Sequence, residues 1–116
     1  MYNYTQFNVN LVEFVEVADT SEIEVDGRLF LDIDGQSITV FNIAGNYFAI
    51  ADVCSHDDGP VGDGDLDGHE IICPRHGARF DIHNGKATGL PAVADIPAYP
   101  VRVRGSTLEV GVPKNR

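Results

Sequence analysis

Turn chemistry limits this chain to short extended segments. Asp26-Gly27, Asp34-Gly35, Gly45-Asn46, Asp67-Gly68, Asn84-Gly85 and Gly105-Ser106 each fall between alternating or apolar-rich stretches. Asp-Gly and Asn-Gly favour tight hairpins, because type I′ turns need positive φ at both central positions. The segments between the turns read as strands at residues 11–17, 28–34, 36–43, 47–53, 69–73, 78–83, 99–104 and 107–112. Alternation is clearest in Leu29-Phe30-Leu31-Asp32-Ile33-Asp34 and Val101-Arg102-Val103-Arg104. No convincing helical period runs anywhere in the chain, and six prolines oppose long helices. Short strands joined by tight turns predict an all-β sandwich or barrel.

The chain has 116 residues and 43% apolar composition, enough for one domain with one core. No apolar run approaches the ~20 residues that span a bilayer. The opening MYNYTQFNVN lacks the basic and apolar regions of an export signal. These features predict a cytoplasmic chain without a membrane partner. The net charge of −10 argues against nucleic acid and anionic membrane, because phosphate binding needs Lys and Arg. The charge is uneven. Residues 13–34 hold eight acids and the single base Arg28, and residues 52–70 hold seven acids and no base. Residues 71–116 hold three acids and seven bases. Solubility is the simple consequence. An acidic face that attracts a basic partner is the more specific one.

Both cysteines and three of the four histidines lie within residues 54–76. Cys54-x-His56 opens the stretch and Cys73-x-x-His76 closes it, with sixteen residues between His56 and Cys73. The segment 52–68 is rich in Asp and Gly, carries Pro60 and reads as a long loop, which in a compact domain calls for a function or a ligand. Two loops thus converge, each offering one thiolate and one imidazole. A cysteine pair flanked by histidines, with no export signal, reads as a metal or redox site rather than a structural bridge. Two metals suit the set. Structural zinc accepts two Cys and two His, although its common spacings pair like with like. A two-iron, two-sulfide cluster with two His on one iron takes the same four donors, two per iron.

The pattern resembles the signature of Rieske [2Fe–2S] proteins: Cys-x-His, a gap of sixteen, then Cys-x-x-His-Gly. "CPRHGARFDIHNGKA" is similar to the matching run of Rieske-type ferredoxins and of the Rieske domains of ring-hydroxylating oxygenases, and "IPAYPVRVRGSTLEV" looks like the ferredoxins' closing strands. The resemblance implies an all-β Rieske-type fold of short antiparallel strands in sandwiched sheets, with two cluster-binding loops. It implies a domain at 12–112, an N-terminal extension at 1–11 and a tail at 113–116. It places one iron on Cys54 and Cys73 and the outer iron on His56 and His76. Pro74 and Gly77 would shape the turn around the cluster, and Pro60 matches the proline loop that covers it. The implied function is a soluble one-electron carrier, not an enzyme. It would pass electrons from a flavin-dependent reductase to a terminal oxygenase. The oxygenases of this family keep their mononuclear iron on a separate, larger domain, for which this chain has no room. The alternatives are a small subunit of an oxidoreductase such as nitrite reductase, often without cluster ligands, and a redox-sensing module.

The respiratory-chain branch carries two further cysteines that form a disulfide between the cluster loops; here the matching position after Cys73 is Arg75. That branch also has Ser and Tyr hydroxyls donating to the cluster, where this chain has Ala78 and Phe80. With neutral imidazoles the cluster becomes a monoanion on reduction, so lost donors and nearby acids make reduction harder. A potential near the low end of the Rieske range, about −150 mV, is expected. It should fall as pH rises through deprotonation of the ligand imidazoles. "DGDLDG" at 63–68 imitates half a calcium loop, but Pro74 stands where the last ligand is needed. His69 and His83 read as exposed strand residues, and Arg75 and Arg79 as partners of nearby acids.

Overall fold

A computed structural model describes residues 3–6 and 11–114. Its strands are β1 (Val12–Asp19), β2 (Arg28–Ile33), β3 (Gln36–Ile43), β4 (Asn46–Ala51), β5 (Asp65–Asp67), β6 (Glu70–Ile72), β7 (Arg79–Asp81), β8 (Ala87–Gly89), β9 (Ala98–Tyr99), β10 (Val101–Arg104) and β11 (Thr107–Pro113). No α-helix occurs among the described residues; 3-10 turns occur at Tyr4–Gln6 and Thr20–Glu22. Among the described residues no helix is long and apolar enough to cross a membrane. The strands form three antiparallel sheets, ordered β1-β11-β10, β2-β3-β4-β9 and β5-β6-β7-β8.

The second sheet is the middle layer, and the period of two along its strands explains why. Ile38 and Val40 of β3, with Ala49 and Ala51 of β4, face a core completed by Leu108, Val110 and Val112 of β11. The intervening Phe41 and Ile50 face the opposite core, with Ile71, Phe80 and Ile82. A strand covered on both faces buries nearly every residue, and β3 is buried from Ile38 to Asn42. The second core also contains Cys54 and Cys73, so the site is built on packed side chains.

Most strands lie within two residues of the expected bounds, and β3 matches its range. The run 99–104, expected as one strand, is two. β9 pairs with β4, and β10 pairs with β11. Pro100 sits at the break, and a residue without an N–H cannot carry a ladder through; its carbonyl accepts from Gly111 N at 2.8 Å. The 52–68 loop is also shorter than expected, because Asp65–Asp67 pairs with Glu70–Ile72 as a hairpin through Gly68. The would-be calcium loop is therefore a turn entering a hairpin. At the other end of the chain, Asn3 forms a parallel bridge to Ala98, and the Tyr4 ring stacks on Tyr99 at 5.3 Å.

Candidate metal-cluster site

The first loop follows β4 and folds back on itself. Cys54 N donates to Gly59 O and Asp58 N donates to Cys54 O, both at 2.7 Å. The second loop is the β6–β7 turn. Cys73 N donates to Ala78 O at 2.7 Å, and Gly77 N donates to Cys73 O at 3.0 Å. Gly77 has φ +78°, a conformation that favours glycine and lets the chain reverse directly after His76. These loops bring all four sequence-selected residues together.

The donors separate by depth. Cys54 and Cys73 are buried in the core, and both are free thiols. His56 and His76 are exposed, their rings edge to face with centroids 5.1 Å apart. The two sulfurs lie within 4.8 Å of each other and of an Asp57 oxygen. Nitrogens of the two histidines likewise lie within 4.8 Å of each other and of an Asp57 oxygen. Among the described residues the donors thus form two groups, not one set of four. A single tetrahedral zinc, with bonds of roughly 2.0–2.3 Å, needs all four donors around one point. An inner pair of sulfurs and an outer pair of nitrogens suit two metal centres. Burial pushes the Cys54 thiol up, while the N–H groups of His56 and Asp57 directed at its sulfur oppose that shift. Buried sulfur that needs a compensating cation, with backbone donors already in place, fits a metal–sulfur group.

Asp57 and Arg75 are the site residues that the sequence did not single out for a joint role. Arg75 Nε and Nη2 donate to the two Asp57 oxygens at 2.6 and 2.9 Å, and Nη1 donates to Pro60 O at 2.7 Å. The guanidinium holds the Asp57 carboxyl well below the usual carboxylate range. Both Asp57 oxygens are thereby occupied, which leaves the aspartate as a tie rather than a ligand. The tie joins the two ligand loops. The signals were Arg75 inside the second motif and an acid directly after His56. Arg79 pairs with Asp67 and Glu70 at 2.9 and 3.1 Å, as expected for a partner of nearby acids. His69 and His83 are exposed but occupy turns rather than strands, with rings 4.1 Å apart. An Arg75→Ala variant is expected to lose its metal to a chelator about tenfold faster than wild type, since three charge-assisted bonds between the loops disappear. Bleaching of the visible absorbance measures this, and an unchanged rate would contradict the role of the tie.

An all-β fold that presents a buried pair of cysteine sulfurs below an exposed pair of imidazoles suits a small electron-transfer protein with a mixed-ligand iron–sulfur cluster. Residues 13–100 match the Rieske [2Fe-2S] domain. The chain belongs to this family, and the Rieske-type [2Fe–2S] cluster is its cofactor. It is 33% identical to the ferredoxin component of the naphthalene 1,2-dioxygenase system of Pseudomonas putida, over 79% of this chain and 88% of that one. It is 37% identical to the 3-phenylpropionate/cinnamic acid dioxygenase ferredoxin subunit of Shigella boydii, over 91% and 97%. The solved ferredoxin of carbazole 1,9a-dioxygenase from Nocardioides aromaticivorans superposes with a TM-score of 0.80 at 33% identity, covering 87% of this chain and 98% of that one. Like these relatives, the chain is an electron carrier rather than an enzyme.

Proposed function

We propose that this chain carries single electrons, in the cytoplasm, from a flavin-dependent reductase to the terminal oxygenase of an aromatic-ring dioxygenase system. Cys54 and Cys73 hold the inner iron, and His56 and His76 hold the outer one. The observation that carries this reading is the split of donors into a buried sulfur pair and an exposed nitrogen pair. When bound, the cluster supplies one reversible one-electron step. The buried cysteines keep water from the inner side, and the exposed imidazoles put the outer side within tunnelling reach of a partner. Free thiols serving as ligands suit a reducing compartment. The test is reconstitution with a purified flavin reductase and terminal oxygenase of a related dioxygenase system. Product formation should depend on this chain. Reduced protein that the oxygenase fails to reoxidise would sink the proposal.

The surface beside the histidines suits docking. Ser55 Oγ donates to Ala94 O at 2.5 Å, which fixes the 89–95 loop against the first ligand loop. Ala92 of that loop is buried in the core shared with the cysteines. Leu90 and Val93, at 79% and 84% exposure, are the most exposed large apolar side chains among the described residues. Replacing both with Ser should raise the KM for the oxygenase roughly tenfold, as loss of an apolar contact centre does. The kcat and the reduction potential should not change.

A further inference from the structure

We propose that Arg28 and Asp52 act together as positioning residues for the cluster. They anchor segment 59–64 from behind as a strut between the two ligand loops. The inference rests on the reading that Cys54, His56, Cys73 and His76 hold the cluster.

The strut touches both ligand loops. Gly59 O accepts from Cys54 N, and Pro60 O accepts from Arg75 of the second loop. The Val61 side chain is fully buried in the core that contains both cysteines. Gly64 presses on the strand that delivers Cys73: a Cβ there would lie 1.9 Å from Ile72 O and 3.3 Å from Pro74 Cδ. A shift of 59–64 therefore moves groups bonded to both loops.

The strut lies outside the strands, and its one internal backbone bond runs from Gly64 N to Val61 O at 3.0 Å. The anchors come from the middle sheet. Asp52, directly after β4, accepts through Oδ1 from Val61 N at 2.8 Å and from Gly62 N at 2.6 Å. Arg28, at the start of β2, donates through Nη1 to Gly62 O at 2.6 Å and to Gly64 O at 2.7 Å. Its guanidinium also lies 5.2 Å from the centre of the Phe41 ring, in the same core. The anion takes the strut's N–H groups and the cation takes its carbonyls, so each end of the Gly62 residue is held by a charged side chain. The fit underneath leaves no slack. A Cβ at Gly62 would stand 2.1 Å from Thr39 Oγ1 of β3. These bonds give a structural role to the single base that stands among the eight acids of residues 13–34. Arg28 is half-buried, and its guanidinium is bound inward to backbone carbonyls.

The test compares cluster-loaded wild type with Arg28→Ala, Arg28→Lys, Asp52→Ala and Asp52→Asn. In the two alanine variants, release of iron to a chelator should speed up by at least about tenfold, since each loses two hydrogen bonds to a charged group and one such bond accounts for roughly that factor. The EPR lines of the reduced cluster should broaden, and hydrogen exchange of the Val61 and Gly62 amides should accelerate. Arg28→Lys, still a cationic donor, and Asp52→Asn, still an acceptor at Oδ1, should return both readouts toward wild type. If Arg28→Ala does not fold, Asp52→Ala tests the same strut from its other anchor. Alanine variants with a lowered Tm but wild-type release rates and EPR lines would overturn the proposal and leave a purely structural role. A wild-type protein without a Rieske signal would instead refute the ligand reading on which the proposal rests.

Discussion

Changing Cys73 to Ser should yield a folded chain with less than about a tenth of the wild-type cluster content, because metal–sulfur binding needs a thiolate at this point. Cys73 is 2% exposed and is held on both sides by backbone bonds to Ala78 and Gly77. Serine is close to cysteine in size, so packing changes little. The cost of burying a hydroxyl, ~1–3 kcal/mol on mutational scales, stays below a typical domain stability of about 5–15 kcal/mol. Circular dichroism should therefore report an intact β fold while the visible absorbance is lost. Full cluster retention in Cys73→Ser would remove Cys73 from the ligand set. The same substitution at Cys54 is expected to behave alike, since that residue is fully buried in the same core.

Introducing two hydroxyls near the sulfurs should raise the reduction potential. Ala78 and Phe80 are fully buried in the core that contains Cys54 and Cys73, and neither side chain can donate a hydrogen bond. A donor stabilises the reduced cluster more than the oxidised one, because reduction adds negative charge. A bond to a charged group is worth roughly 1.4 kcal/mol, and for one electron that corresponds to about 59 mV. Ala78→Ser with Phe80→Tyr is thus expected to move the midpoint upward by about 100 mV, with each single variant contributing about half. The tyrosine oxygen enters a closed core, so a loss of about 1–3 kcal/mol in stability should accompany the gain. A folded double variant with an unchanged or lowered midpoint would refute the argument that missing donors set the potential.

The four ligand candidates were legible in the sequence because their residue types and spacing answer to one chemistry. The strands with strong turns at both ends were legible for a similar local reason. What escaped was non-local. Asp65–Asp67 has a single apolar residue, Leu66, and becomes a strand only because Ile71 and Ile72 lie opposite. Ala87–Gly89 pairs with Arg79 and Phe80 across a register shift, in a segment with too little alternation to read. At 99–104 the apolar period was correct, but Pro100 transfers the chain from one sheet to another, and Pro100 could have been taken as the signal. The same limit applies at the site. Asp57 and Arg75 lie eighteen positions apart, so their bidentate pair is a consequence of loop convergence. The contacts of Arg28 to Gly62 and Gly64 span still more of the chain.

EPR of the dithionite-reduced protein, followed through a potentiometric titration, tests the central claim most directly. The expected result is a rhombic Rieske signal with a midpoint well below zero, at about −150 mV. Full occupancy by zinc with no such signal, in protein produced with iron and cluster assembly available, would contradict it.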